Sequence, residues 1–495
     1  MKNVFSKKNV VLWILFALLS VGYVYAFSFS TSWLYPYYFG GDSAQFLTMG
    51  KAWYLGKLPY VDMFDHKGPF IFWIDMIGYL MAGGEKYGVA VLQMLFLFFT
   101  IFAFYQISQL VYKNRAYGVI VVLITLLAMK RNYGDGNTVE EYCLPFICWS
   151  FYGILNFWKQ RDNVKHSPKW AFLYGLTLGI CFLTRVTNFI PLCAGLLLVV
   201  IQLLSKKQYR NLFQNIGAGL AGFLLFVLPF LAYFWYKGAL YECIYGTLLY
   251  NFEYAEARKS WLLAASTTDK LRYLLDYFIA LSIFISAFIS ALKREYRLAV
   301  LWLMTGILEQ CIFMNGDAYP QYPLVCIIQI PVLLNELCGW RGKVISLQSF
   351  VKVLCGLVLL AVLSINVTLA LRVGPMWRAY SVRRTRIWEL LVDEIPEDEL
   401  DRFVVYGNNE FKEVYLLKDL MPCYKYFVIQ DWQGSMSPET REAIHDSFAT
   451  RKAKWILTDG EGEIIRDILE ESYTDVDGID QFHLYRLTDE VWDKM

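Results

Sequence analysis

Charged side chains are scarce in this sequence and nearly balanced in sign: they make up 18% of 495 residues and leave a formal net charge of +2. No basic excess therefore points to nucleic acid as a partner. Glycine-rich loops that cradle a nucleotide phosphate are missing, and so is the paired cysteine or histidine spacing of a zinc site. Nine of the ten cysteines precede residue 356, most of them inside apolar runs, which argues against a disulfide framework and makes them small core residues. Only Cys423 falls in a polar stretch.

Apolar side chains, by contrast, make up 57% of the chain, and they are bunched. Runs of about 20 apolar residues suffice to cross a bilayer, so the composition is that of a polytopic membrane protein. The N-terminal MKNVFSKKNV has the basic flank of a signal peptide, but no small-x-small cleavage site follows, which predicts an uncleaved first span. Apolar runs near residues 9–28, 87–112, 115–130, 141–158, 170–183, 188–204, 214–236, 271–292, 297–314, 320–337 and 350–371 predict about eleven transmembrane helices. The run 70–81 carries Asp75 and is too short to span, so it reads as an interfacial helix.

Basic residues orient the spans. With Lys2, Lys7 and Lys8 cytoplasmic, the loops holding Lys113 and Arg115, Lys159 to Lys169, Lys206 to Arg210, Lys293 to Arg297, and Arg341 and Lys343 fall on the same side. The first loop, residues 29–86, then lies outside. Arg372, Arg378, Arg383, Arg384 and Arg386 run against this pattern, because they follow the last span on its external side. The sequence thus divides into a membrane part, 1–372, and an external soluble part, 373–495. Within the latter, FVVYG (403–407), YFVIQ (426–430), KWILTDG (454–460) and FHLYRL (482–487) read as strands. Helical patterns near 438–450 and 463–471 separate them, which predicts a small α/β domain without a catalytic constellation of its own.

The chemistry concentrates in the first loop, GGDSAQFLTMGKAWYLGKLPYVDMFDHKGP. Phe46, Leu47, Gly50, Trp53 and Tyr54 recur at helical spacing while Gln45, Thr48 and Lys51 face the other way, which predicts an amphipathic interfacial helix. Asp42 stands at its start, where with Gln45 it resembles a capping box or faces a substrate, and the two readings are compatible. Lys67 precedes Pro69, a residue suited to the first turn of a helix, so the run is either a seat for a phosphate at a helix N-terminus or a solvated charged turn at the headgroup level. Asp62, Asp65 and His66 are further carboxylates, metal ligands or solubilising residues; spacing leaves these open. Farther along, Thr138 to Glu141 reads as a capping box opening a span. Arg185 at a span end needs an anion or water, which makes it a better phosphate candidate than any loop lysine. The Tyr-rich loop with Arg258, Lys259 and Trp261 covers a substrate or forms an aromatic belt.

Together these stretches resemble the GT-C class of integral-membrane glycosyltransferases, in its protein O-mannosyltransferase and aminoarabinose-transferase-like branch. GGDSAQFLTMGKAWYLGKLPY and MFDHKGPFIFW resemble its first external loop, with an acidic residue, an amphipathic helix, a Lys-Pro turn and a second interfacial helix. GNTVEEYCLPF, FLTRVTNFIPL and GDAYPQYPLVCIIQIP resemble later family stretches. Two departures stand out: Asp42 is followed by Ser43 rather than Glu, and the Lys-Pro turn becomes Lys67, Gly68, Pro69, so the partner carboxylate is Asp65 or none.

The resemblance implies an inverting transfer of sugar from a polyprenyl-phosphate carrier to an unknown hydroxyl acceptor at the outer face of the plasma membrane. Asp42 would be the general base, Lys67 and Arg185 would hold the donor phosphate, and Asp65 and His66 would neighbour the site. Glu140, Arg258, Tyr319 and Tyr322 would contact substrate. It implies no cofactor for certain, assigns no metal ligands and leaves a divalent ion open. Two rival functions are a polymerase or ligase acting on lipid-linked oligosaccharide, and a lipid or glycan transporter. Against the transporter, the sequence has no paired Gly/Pro-interrupted spans in two repeated halves.

Overall fold

The computed structural model describes residues 7–160, 164–257, 265–315, 318–339, 345–407, 409–460 and 462–489. Its helices follow the apolar runs in order: α1 Lys7–Phe27, α2 Asp42–Tyr54, α3 Pro69–Met81, α4 Tyr87–Gln109, α5 Arg115–Tyr133, α6 Val139–Lys159, α7 Pro168–Phe182, α8 Ile190–Ser205 and α9 Tyr209–Tyr236. Beyond α9 come shorter helices, then Thr267–Asp276, Phe278–Leu292, Tyr296–Phe313, Gln329–Gly339 and Ile345–Leu371.

Among the described residues seven helices are long and apolar enough to cross a membrane, or eight if Thr267–Asp276 and Phe278–Leu292, bent by 71°, form one broken span. Three further runs counted toward the expected eleven are helical but fall short of that standard. α6 carries Glu140, Glu141 and Lys159, α7 has 15 residues, and Gln329–Gly339 has 11.

The chain forms two compact units. One comprises residues 1–28, 91–232 and 259–376; the other comprises 29–90, 233–258 and 377–495. In the first, buried Glu141 ties three helices together by accepting from Tyr133 Oη at 2.7 Å, Gln93 Nε2 at 2.8 Å and the Asn137 amide at 3.0 Å. Thr138 caps α6, its hydroxyl accepting from the Glu141 amide, while the Glu141 side chain takes the Asn137 amide, so one arm of the expected capping box is formed. A carboxylate so fully satisfied is structural.

The second unit is built on a four-stranded sheet, β1 Phe403–Tyr406, β2 Trp455–Thr458, β3 Tyr473–Ile479 and β4 Phe482–Leu487, in the order β1-β2-β4-β3. β1 and β2 pair parallel, and the other pairs are antiparallel. The expected strand 426–430 is absent. Ile429 instead adopts a left-handed conformation (φ 50°), and buried Gln430 bonds β1 through its side chain, donating to the Val405 carbonyl and accepting from the Gly407 amide. The apolar character of YFVIQ thus reflects burial in a turn. First-loop residue Phe64 joins Tyr245, Tyr250, Tyr426 and the sheet residues in one core.

Candidate functional site

α2 begins at Asp42, behind an N-cap of Gly41 that makes no side-chain cap bond, so the expected Asp42/Gln45 capping box is not formed. Asp42 Oδ1 instead accepts from Lys412 Nζ at 3.1 Å. The helix is also less amphipathic in its surroundings than its sequence suggests. Ser43 to Gly50 are all buried, Gln45 and Thr48 included, because α3 packs on one side and Leu416 and Leu417 on another. Gly50 permits the close approach to α3: a Cβ there would lie 2.3 Å from Asp75 Cβ. The Gln45 amide nitrogen is buried and unbonded among the described residues, a donor whose neglect costs about 1–3 kcal/mol.

The turn between α2 and α3 is fixed by its own polar groups. Asp62 accepts from the Leu58 amide at 2.6 Å, which closes the turn and accounts for this carboxylate. Tyr60, at φ 70°, donates its hydroxyl to the Lys67 carbonyl at 2.6 Å. The Lys67 amide donates to Asp65 Oδ1 at 2.7 Å, and its ammonium donates to His66 Nε2 at 2.6 Å. Asn251 holds the His66 carbonyl at 2.8 Å. Pro69 opens α3 after Gly68, so the first-turn amides of that helix follow directly on Lys67. Around His66 stand the rings of Tyr250, Tyr254 and Trp432, at 5.8, 5.8 and 5.5 Å between centroids.

The electrostatics separate the two carboxylates. Low-polarity surroundings would raise the Asp42 pKa, but Lys412 and then Lys67 outweigh them and hold it below its ordinary value. The Asp42 side chain keeps 55% of its surface exposed, so an ionised carboxylate is presented to solvent. For Asp65, 3% exposed, burial prevails over Lys67 and pushes the carboxyl upward. One acid is thus ionised and exposed, and the other is a buried acceptor for the turn.

In the first unit the structure brings four other expected residues into one cluster. Arg185 donates to Glu140 Oε1 at 3.1 Å, and its guanidinium lies 3.3 Å from the ring centroid of Tyr322. Tyr319 lies against Tyr322 with centroids 5.3 Å apart. Arg185 therefore already has an anion. Arg258 lies outside the described residues. Sequence pattern does not single out Lys412 or Trp432, both of which lie in the C-terminal tail. The one local signal for Lys412 is its place between apolar Phe411 and Val414. Among the described residues no group of three or more His, Cys, Asp or Glu is placed to hold a metal ion.

Residues 66–236 match the family model described as dolichyl-phosphate-mannose-protein mannosyltransferase. No curated protein sequence matches the chain. Among solved structures, the chain is similar to ArnT from Cupriavidus metallidurans bound to undecaprenyl phosphate, with 14% identity and a TM-score of 0.55, over 96% of this chain and 97% of that one. It is also similar to the archaeal oligosaccharyltransferase AglB from Archaeoglobus fulgidus in complex with an inhibitory peptide and a dolichol-phosphate. There the identity is 11% and the TM-score 0.50, over 99% of this chain and 75% of that one.

Proposed function

We propose that this chain, a multi-pass membrane protein of the GT-C fold, transfers a sugar from a polyprenyl-phosphate carrier to a hydroxyl acceptor at the outer face of the plasma membrane. The observation that carries the reading is Asp42: an exposed carboxylate at the head of α2, held ionised by two lysines. Asp42 takes the proton of the acceptor hydroxyl as its oxygen bonds to the sugar C1, and the bond from C1 to the phosphate oxygen breaks on the opposite face with inversion. The leaving lipid phosphate gathers negative charge. Lys67 and the first-turn amides of α3 are the groups that would meet it. Lys67 is preferred to Arg185 for this task because Arg185 is already paired with Glu140.

Asp42→Asn tests the reading. Loss of a general base costs about 10²- to 10⁴-fold. Protein purified in detergent and given polyprenyl-phosphate sugars extracted from the expressing cells should show transfer, and the variant should lose it. Retention of more than about a tenth of the activity would overturn the assignment. Transfer in detergent, where no compartments exist, also separates an enzyme from a transporter, and product size separates single-sugar transfer from that of a whole glycan.

A further inference from the structure

The soluble tail reaches the head of α2 through a short turn, Asn409–Glu413. Three consecutive residues of that turn are fixed. Phe411 is fully buried, packed between Trp388 and Phe482 of the tail domain, with ring centroids 6.3 and 5.6 Å away. Glu413 accepts from Arg386 at 2.7 Å and from the Phe39 amide at 3.0 Å, three residues before Asp42. Lys412 lies between these anchors, 4% exposed, and its ammonium is 3.1 Å from Asp42 Oδ1. Two anchored neighbours leave its side chain little freedom. Lys51 on α2 and Asp419 in the tail form a second ion pair.

We infer that Lys412 is a positioning residue of the Asp42 site, supplied by the tail domain: it fixes one carboxylate oxygen and leaves the other to the acceptor hydroxyl. Among the described residues the bond from Lys412 is the one hydrogen bond of the Asp42 side chain, so Oδ2 stays available. An ammonium donating to a carboxylate forms a charge-assisted bond that sets orientation as well as charge. The other charged groups around α2 do not duplicate it. Lys67 acts on Asp42 through its field while its ammonium bonds His66, Asp65 is engaged by the Lys67 amide, Asp75 lies against Gly50, and Lys51 and Glu413 are paired with Asp419 and Arg386. The role of Lys412 rests on the reading of Asp42 as the base.

The pairing is tested on the full-length protein in detergent with a water-soluble carbodiimide, which joins an amine to a carboxylate in contact with it. A cross-linked peptide containing Asp42 and Lys412 is expected beside one containing Lys51 and Asp419. The first should vanish in Lys412→Arg, because a guanidinium does not couple. Recovery of the Lys51 product without the Lys412 product would overturn the inference. Its role is read by adding a small amine and following carbodiimide labelling of Asp42 against pH, since the protonated carboxyl is the form that reacts. Lys412→Met should move the labelling midpoint to higher pH and reduce transfer on the order of 10- to 100-fold, while Lys412→Arg keeps both near wild type. If Asp42→Asn keeps transfer, the proposed function fails whatever the cross-link shows. An inactive Asp42→Asn beside a Lys412→Met with wild-type transfer and midpoint would refute the role of Lys412 alone.

Discussion

Replacing Gly50 by alanine adds one methyl group where α2 crosses α3. That carbon would lie 2.3 Å from Asp75 Cβ and 3.0 Å from both the Asp75 carbonyl carbon and the Met76 nitrogen. Ordinary carbon contacts lie at about 3.5–4.0 Å, and none of these atoms can swing aside by a rotamer change. One helix must therefore shift by about 1 Å. Overpacking of this kind costs about 1–3 kcal/mol, against which alanine regains about 1 kcal/mol of helix propensity over glycine. With a backbone-to-backbone clash the upper end applies, and a net loss of about 2 kcal/mol follows. The shift also changes the distance from Asp42 at the head of α2 to Lys67 before α3, and a displacement of about 1 Å can cost on the order of 100-fold in rate. Melting of the detergent-solubilised protein, followed by fluorescence-detected gel filtration, should show Gly50→Ala well below wild type. Gly217→Ala is the control: nothing lies within 4 Å of its added carbon, so it should melt at or slightly above wild type. Equal melting of the two variants would refute the close crossing.

Lys67→Ala should weaken use of the donor far more than Lys67→Arg, with the defect appearing when donor concentration is varied; unchanged donor dependence would move the phosphate seat elsewhere. Asp65, raised by burial, binds its proton more firmly in the folded state than in the unfolded chain. Its contribution to stability is present at acid pH and is lost as pH rises through the raised value. Asp65→Asn should therefore melt above wild type at pH 7 and alongside it below about pH 4; the opposite order would show that the ionised form is the stabilised one. Cysteines placed at exposed Lys57 and Ser435, in a chain stripped of its own ten, should react together with a membrane-impermeant thiol reagent in intact cells. Native Cys423 is a poor reporter because burial pushes its thiol up to about 12. Labelling of one site without the other would place loop and tail on opposite sides.

The parts of the fold that a sequence reader finds are those whose pattern repeats locally. Apolar runs marked the helices, and alternating short runs marked β1, β2 and β4. β3 escapes a reading by pattern because YTDVDGI carries two aspartates and a glycine and sits at the sheet edge with its middle residues exposed, a strand specified by pairing with β4 rather than by hydrophobicity. YFVIQ is the opposite case, since Tyr426, Phe427 and Val428 are buried in a turn pinned by Gln430. At the candidate site the same division holds. Asp42, Asp65, His66 and Lys67 lie within one loop and could be weighed together. Lys412 lies 370 positions away from Asp42 in a charged tail, where its apolar neighbours Phe411 and Val414 are a weak mark that says nothing of its partner until the chain folds.

The arginines after the last long helix bear on topology in a way that the structure changes. Counted as loop charges they oppose an external tail. Two of them, however, are bound within the second unit: Arg383 forks onto buried Glu389, and Arg386 bonds Glu413 and the Tyr37 carbonyl. The positive-inside rule also applies to short loops, whereas a long polar segment is translocated largely regardless of its charge, and the tail is a segment of more than a hundred residues within the second unit. The contacts from Arg386, Lys412 and Glu413 to the loop before and at Asp42 give the stronger constraint. Whichever side of the membrane the first loop occupies, the tail must occupy too, because both belong to one compact unit.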